Sequence, residues 1–225
     1  MSVLAIIPAR GGSKEIPRKN VRLLAGKPLI SRTIKCAQLA ESVNRIVVST
    51  DDPEIADISK QNGAEIIWRP ANISDDSSSS EMALLHSLEY LQNQENFQPE
   101  ILVFLQCTSP LTLPEDIDGT VNVLLKANAD SAFAATPFHY FLWTHDKEGN
   151  PVGINHDQKV RLLRQNREPQ FLETGAVYSM RAEGFKKVQH RFFGKIAIYV
   201  MPPDRCFEID EPVDFIIAEN LLKHR

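Results

Sequence analysis

The chain has 225 residues and a net charge of −4, with 43% hydrophobic and 24% charged residues. This composition is typical of a globular protein with a full core, and it argues against broad nucleic-acid binding. The three cysteines, Cys36, Cys107 and Cys206, lie far apart without a C-x-x-C motif, which argues against a disulfide framework or zinc site and favours a reducing cytoplasm. No apolar run reaches the length of a membrane span or signal peptide, so no membrane association is expected.

Strand-like and helical patterns alternate along the chain. The first strand, Leu4–Ile7, is a continuous apolar run that ends at Pro8, which is typical of a strand buried on both faces. Further strands are predicted at Arg45–Thr50, Ala64–Trp68, Ile101–Gln106, Ser131–Thr136, Ala176–Met180 and Ile196–Met201. Helices are predicted at Pro28–Glu41, from Asp52-Pro53 to Gly63, at Ser80–Gln92, at Pro114–Ala127 and from Pro212 to the C terminus. This alternation predicts an α/β fold in three layers, with a mostly parallel sheet between helices.

The pattern breaks between residues 138 and 171, where the chain is aromatic, polar and irregular. We interpret this segment as an inserted, hairpin-like arm. If Tyr140, Phe141 and Trp143 are exposed on it, they need cover, so a partner subunit is expected there. The alternative is that these rings fold back onto their own core. After the arm, the last helix places Val213, Ile217 and Leu221 on one apolar face and ends in cations that complement its dipole.

The loop after the first strand combines glycines and cations. Gly11 and Gly12, next to Ser13, allow backbone N–H groups to approach a ligand closely, and four cations lie around them at short spacing. Those cations are Arg10, Lys14, Arg18 and Lys19. The loop matches neither the P-loop nor the dinucleotide-binding motif. An ordinary solvated basic loop is the alternative, but its position after a buried first strand favours polyphosphate binding.

Polar groups also follow the other predicted strands. They are Ser49–Asp52, Arg69 with Asp75–Ser80, and Gln106–Leu111. Each group has an ordinary structural explanation, since aspartate and serine cap helices and Thr108-Ser109-Pro110 is a common turn. Because the carboxyl ends of parallel strands share one edge, we expect these groups and the glycine loop to form one binding crevice.

A pair of carboxylates near the C terminus suggests a metal site. Glu208 and Asp210 are two residues apart, so they share a face in extended backbone. Two carboxylates suit Mg²⁺, which completes its shell with water and substrate phosphate oxygens. The alternative is that Asp210 or Glu211 caps the helix that begins at Pro212. Asp214 falls at the third helical position, where capping is the expected role.

In these motifs the chain resembles the acylneuraminate cytidylyltransferase family, the CMP-sialic acid synthetases, over essentially its whole length. The family's signature loop corresponds to residues 7–20, and Arg69-Pro70, Gln106-x-Thr-Ser-Pro-Leu111, Gly175-Ala-x-Tyr178 and Glu208-Ile-Asp210 follow in the family's order. The resemblance implies one Rossmann-like nucleotidyltransferase domain, residues 1–225, with the arm 138–171 at a homodimer interface. It also implies Mg²⁺-dependent synthesis of a CMP-sugar acid and pyrophosphate from CTP and a nonulosonic (2-keto-3-deoxy) sugar acid.

The resemblance also implies roles for single residues. Arg10, Lys19 and Asp210 correspond to catalytic positions, and Asp210 with Glu208 to the metal site. Asn20, Arg69 and Ser80 correspond to cytidine contacts, Gln106 to a sugar-acid contact, and Arg164 to an arginine of the dimer arm. The remaining substrate-binding positions are expected at Gly11, Gly12, Ser13, Lys14, Thr108, Ser109 and Tyr178.

Departures from the family pattern concern mainly the sugar side. Leu172-Glu-Thr-Gly175 stands where sialic acid enzymes carry Arg-Pro-Asn-Gly, and Glu15 replaces a glycine of the signature loop. One alternative function is therefore a cytidylyltransferase for 3-deoxy-octulosonate or another sugar acid. Others are a uridylyl or guanylyl transferase, a glycosyltransferase that uses Glu208-Ile-Asp210 as its metal motif, or a non-catalytic nucleotide-sugar-binding module.

Overall fold

The computed structural model describes residues 1–13 and 15–224. The strands are β1 Val3–Pro8, β2 Leu23–Leu24, β3 Lys27–Pro28, β4 Arg45–Thr50, β5 Glu65–Trp68, β6 Ile101–Leu105, β7 Ser131–Phe138, β8 Trp143–His145, β9 Pro151–Gly153, β10 Gln170–Arg181 and β11 Ile196–Val200. The helices are α1 Leu29–Leu39, α2 Pro53–Gln61, α3 Ser80–Glu95, α4 Pro114–Lys126, α5 Ala182–Val188 and α6 Pro212–Lys223. The predicted α/β architecture is confirmed.

A seven-stranded sheet with the order β11-β7-β10-β6-β1-β4-β5 forms the middle layer. All neighbouring pairs are parallel except those of β10, which runs antiparallel to β6 and β7. The prediction of a mostly parallel sheet is therefore correct. The strand order reverses between β1 and β6, and ligands of open α/β sheets bind beside such a reversal, at the carboxyl ends of the strands.

The core lies on both faces of this sheet. Alternate residues of β1 point to opposite sides, so Ala5 and Ile7 pack in the cluster that contains α1 and α4, whereas Leu4 and Ile6 pack against α3. Every residue of this strand must therefore be apolar. This requirement explains the unbroken apolar run that predicted the first strand.

The arm extends from the long strands β7 and β10. These strands remain paired out to Phe138 and Gln170, and beyond them β8 and β9 form a small antiparallel hairpin. The predicted returning strand is therefore longer than the sequence indicated, because β10 runs through both the core and the base of the arm. The short helix α5 was missed, since it buries only Ala182 and Phe185 and shows too little periodicity to recognise.

The last helix packs on a different face from the one that its clearest apolar stripe suggests. The stripe of Val213, Ile217 and Leu221 is exposed, at 54%, 41% and 40%. Phe215 and Ala218 are buried instead. Apolar residues on both faces of α6 made the two stripes difficult to distinguish by periodicity.

Within the described residues, none of the helices combines the length and the apolar character needed to cross a lipid bilayer.

Candidate functional site

A cavity of about 280 Å³ lies at the carboxyl ends of the central strands. It brings together most of the residues that the sequence predicted as a site. Its lining consists of Pro8, Arg10, Gly12, Ser13, Lys19, Asn20, Arg69, Ser78, Ser79, Ser80, Phe104, Gln106, Cys107 and Thr108. Lys14, also predicted to bind substrate, lies outside the described residues. The expected meeting of the glycine loop with the ends of neighbouring strands is therefore observed.

The two glycines of the loop occupy different environments. The N–H of Gly11 donates to Asp51 Oδ1 at 2.9 Å, and a Cβ at this position would lie 2.7 Å from Asp52 Oδ2. Only glycine fits there without displacing Asp52, which caps α2 by accepting a hydrogen bond from the N–H of Ile55. Gly12 faces open space in the cavity. Gly11 thus allows close packing of the loop, while Gly12 leaves its backbone accessible to a ligand.

Arg10 lies on the rim of the cavity with partners that a ligand could replace. Its Nη1 donates to the carbonyl of Asp75 at 2.6 Å and lies 2.9 Å from Asp76 Oδ1. The side-chain amide of Asn20 donates to the carbonyl of Arg10 at 3.1 Å, which fixes the backbone beneath the guanidinium. A phosphate group would compete well with these partners, since bidentate arginine–phosphate pairs are charge-assisted.

Arg18 differs from the other cations of the loop. Its guanidinium pairs with the carboxylates of Asp52 and Glu54 at the start of α2. The hydrogen bond to Asp52 is the main cause that raises the pKa of Arg18. Arg18 is not among the lining residues of the cavity, so it anchors the loop to α2.

Arg69 forms part of the cavity wall from a buried position. It is 8% exposed, and its guanidinium donates to the carbonyl of Ser49 at 2.7 Å and to Ser49 Oγ at 3.2 Å. Burial lowers the pKa of Arg69, with a smaller opposing effect from Asp51. Opposite it, Ser79 caps α3 by accepting from the N–H of Met82. The N terminus of that helix therefore faces the cavity and favours negative charge there.

Lys19 joins the glycine loop to residues Glu208–Asp210, the carboxylate segment. Its Nζ donates to the carbonyl of Ile209 at 2.9 Å and lies 3.5 Å from Asp210 Oδ1. Thr108 holds the same segment from the other side, since its Oγ1 donates to Glu208 Oε1 at 3.1 Å and its carbonyl accepts from the N–H of Ile209 at 2.8 Å. These contacts place both carboxylates beside the cavity.

The carboxylates of Glu208 and Asp210 have different surroundings. Burial raises the pKa of Glu208, and the charges of Asp210 and Glu173 raise it further, while Thr108 and Lys19 oppose them. The carboxylate of Asp210 is free of a capping role, because Asp214 accepts from the N–H groups of Asp210 and Glu211 at 2.9 and 2.7 Å. The predicted capping role of Asp214 is confirmed. Across the described residues, His, Cys, Asp and Glu form no group of three or more that could hold a metal.

Besides Gly11, Glu208 and Asp210, which are bonded to lining residues or adjacent to them, three predicted residues are absent from the cavity wall. Ser109 is buried and lines a separate small cavity beside Thr33 and Cys36. Arg164 lies on the arm, in a hollow that also contains Phe138 and Arg167. The third is Tyr178, a core residue of β10.

Tyr178 is buried behind the cavity and stacks on Phe104 with ring centroids 5.3 Å apart. Its hydroxyl donates to the carboxylate of Glu173. Sequence reasoning missed Phe104 as a wall residue because it sits in a continuous core strand. Its place at the carboxyl end of that strand was the available signal.

The aromatic residues of the arm divide into covered and exposed rings. The ring of Phe141 contacts the guanidinium groups of Arg161 and Arg167, which lie 4.3 and 4.2 Å from its centroid. Tyr140 and Trp143 are 65% and 52% exposed. Phe141 is therefore covered by residues of the arm itself and not by the core, whereas Tyr140 and Trp143 remain largely open.

The sequence of the chain is similar to those of known cytidylyltransferases. The cytidylyltransferase family profile matches residues 4–222. An N-acylneuraminate cytidylyltransferase of Oncorhynchus mykiss is 34% identical over 97% of this chain and 50% of its own length, so the chain spans about half of that relative. A CMP-N,N'-diacetyllegionaminic acid synthase of Legionella pneumophila is 32% identical over 99% of this chain and 97% of its own.

A solved structure also has the same fold. The structure of CMP:2-keto-3-deoxy-manno-octonic acid synthetase complexed with CTP aligns with a TM-score of 0.75, covering 100% of this chain and 99% of that one. Its sequence identity is 16%, so the match supports the fold alone.

Proposed function

Because the chain belongs to the cytidylyltransferase family, we propose that it transfers the cytidylyl group of CTP to a nonulosonic sugar acid and releases pyrophosphate. One observation carries this proposal: a single cavity gathers the open backbone of Gly12, the cations Arg10 and Lys19, and the amide of Gln106. The first three suit a polyphosphate, and an amide can both donate to and accept from a sugar acid. The names of the full-length relatives support a sugar acid of the nonulosonic class.

In this reaction the anomeric hydroxyl of the sugar acid attacks the α-phosphorus of CTP, and pyrophosphate leaves. Phosphoryl-type transfers depend mainly on positioning and on neutralising charge rather than on covalent catalysis. Arg10 and Lys19 would bind the departing phosphates, because both are cations on the cavity wall. The buried Arg69 and the first residue of α3, Ser80, would bind the cytidine part of CTP. Asn20 would fix the loop through its hydrogen bond to the carbonyl of Arg10.

Glu208 and Asp210 are the residues that we propose for Mg²⁺. The donor set fits, because two hard carboxylate oxygens and substrate phosphates are the ligands that Mg²⁺ prefers. Burial first and the charge of Asp210 second raise the pKa of Glu208, and a bound cation would favour its ionised form. When bound, the ion would neutralise phosphate charge and polarise the attacking hydroxyl.

The arm, residues 138–171, is in our proposal the dimerisation element of a single nucleotidyltransferase domain. Tyr140 and Trp143 are exposed on it, and a cavity of about 450 Å³ beside Phe141 is lined by Val160 and Leu162. A second copy of the chain would cover these apolar groups. The same pairing would carry Arg164 toward a neighbouring site.

Pyrophosphate release measured with four nucleoside triphosphates tests this function. The sugar panel should contain N-acetylneuraminic, legionaminic, pseudaminic and 3-deoxy-octulosonic acids. Turnover with CTP and a nine-carbon acid is expected. Preference for the octulosonic acid would support the narrower alternative, and turnover with UTP or GTP in place of CTP would contradict the proposal. CTP binding without turnover on any acid would favour a non-catalytic module.

A further inference from the structure

Glu173 is an exposed acidic residue on β10, two residues before Gly175, which packs against the side chain of Glu208. The pairing of β10 with β7 shifts register between Glu173 and Tyr178. Five residues apart, these two side chains would point to opposite faces of a regular strand. The irregularity reverses that alternation, as a bulge does, and brings the Tyr178 hydroxyl onto the Glu173 carboxylate.

At the same irregularity, β10 packs closely against the carboxylate segment. Gly175 has φ +68°, and a Cβ there would lie 3.2 Å from Glu208 Oε1. Thr174, between Glu173 and Gly175, is turned inward, where its hydroxyl donates to the carbonyl of Ala134 at 2.9 Å. The charge of Glu173 is also one of the smaller causes that raise the pKa of Glu208. The bend therefore carries Glu173 to the edge of the proposed reaction site.

The tyrosine that holds Glu173 is itself rigidly placed. Its ring stacks on Phe104, a wall residue of the cavity, and the guanidinium of Arg191 lies 4.7 Å from the Tyr178 centroid and 5.0 Å from that of Phe104. Arg191 is fixed in turn by Glu81 at 2.7 Å. An ionised carboxylate has about four acceptor positions and no donor, so one bond from Tyr178 leaves acceptor capacity on Glu173.

We infer that Glu173 is a specificity-determining residue that accepts a hydrogen bond from a hydroxyl or acylamino N–H group of the sugar acid. This inference rests on the proposed function and narrows its substrate. With Glu208 and Asp210 nearby, this side of the site repels the acid's own carboxylate and selects for donor groups. Sugar acids that differ in a single donor would therefore be discriminated here, because a bound acid that lacks the donor covers the second acceptor oxygen of Glu173 without pairing it.

The test compares wild type with Glu173→Ala, Glu173→Gln and Tyr178→Phe on sugar acids that differ by single hydroxyl or acylamino groups. We expect Glu173→Ala to lower kcat/KM for the best sugar acid on the order of ten- to a hundredfold, mainly through its KM. The KM for CTP should stay within about twofold, a split that a general folding defect would not produce. Glu173→Gln, which keeps one acceptor oxygen, should lose less, and Tyr178→Phe should show a weaker effect on the same sugars.

The differences among sugar acids decide the outcome. A preference that collapses in Glu173→Ala supports the assignment, whereas an equal loss for every acid, or a loss in CTP affinity instead, overturns it. If wild type turns over no sugar acid, the proposed function fails. In that case, the affinity of the same acids, measured by calorimetry in the presence of CTP, still tests the role of Glu173. Equal affinities for wild type and Glu173→Ala would overturn that role.

Discussion

Lys19 Nζ donates a 2.9 Å hydrogen bond to the carbonyl of Ile209, a residue 190 positions away in the chain. The same ammonium lies 3.5 Å from Asp210. One side chain therefore connects the loop proposed to bind the phosphates with the segment proposed to hold the metal. Its position sets the separation between these two parts of the site.

Removing this lysine should damage catalysis more than stability. Lys19→Ala deletes a cation from the cavity wall, and loss of one contact to the developing charge costs about 10²–10³ in rate. We expect kcat/KM for CTP to fall by that factor while the Tm changes little. An unchanged kcat/KM would exclude Lys19 from the reaction.

Arg18→Ala is the matched control, because Arg18 belongs to the same loop but pairs with Asp52 and Glu54. These pairs are largely exposed, so their loss should cost at most about 1 kcal/mol in the free energy of unfolding. Its kcat should stay within a few-fold of wild type. A larger loss of activity than in Lys19→Ala would mean that Arg18, rather than Lys19, serves the phosphates.

Asp210→Asn tests the proposed metal site. The substitution keeps the size of the side chain and removes the charge that would bind Mg²⁺, so turnover should be lost at any Mg²⁺ concentration while the Tm is retained. Glu211→Gln removes the neighbouring charge and should leave the Mg²⁺ dependence unchanged. Pyrophosphate release measured over a Mg²⁺ titration compares the two variants. Near wild-type activity of Asp210→Asn would refute the metal assignment.

Patterns that depend on local chemistry predicted much of this molecule. The buried run of β1 and the cap at Asp52 identified the sheet and the start of α2, since each is encoded within a few residues. The register shift that joins Glu173 to Tyr178 could not be predicted, because strand periodicity assumes regular pairing. The separation of Arg18 from the other loop cations was also hidden, as it depends on where α2 lies in three dimensions.

The ion pair between Glu81 and Arg191 should give a defined pH dependence of stability. Burial alone would raise the pKa of Glu81, but Arg191 outweighs it and holds that pKa below the ordinary 4.5. A depressed folded-state pKa stabilises the fold above the unfolded value, and this contribution disappears as pH falls through the folded pKa. Glu81→Gln should therefore cost about 1–3 kcal/mol at pH 7 and progressively less below pH 4.5.

Denaturant unfolding of wild type and Glu81→Gln at several pH values measures this difference. Glu89→Gln, an exposed position on the same helix, is the control and should show only a small effect. A stability difference that grows as pH falls would have the wrong sign and would contradict the ion-pair explanation.

Removing the exposed rings of the arm should weaken self-association of the chain. Replacing Tyr140 and Trp143 together by serine removes apolar area from the proposed dimer surface, so the population of dimer in sedimentation experiments should fall. Tyr90→Ser is a suitable control, since Tyr90 is 42% exposed on α3, away from the arm. A wild-type chain that sediments as a monomer at high concentration would refute the proposed pairing.

The two glycines of the loop should respond differently to the same substitution. In Gly11→Ala the new methyl group would meet the Asp52 side chain, which cannot move freely because it caps α2 and pairs with Arg18. Overpacking of this kind costs about 1–3 kcal/mol, so we expect a lower Tm. In Gly12→Ala nothing lies within 4 Å of the new atom, and the Tm should be unchanged. Because Gly12 lines the cavity, its alanine variant should instead raise the KM for CTP. Equal losses of Tm in both variants would show that close packing against Asp52 is not the reason why position 11 requires glycine.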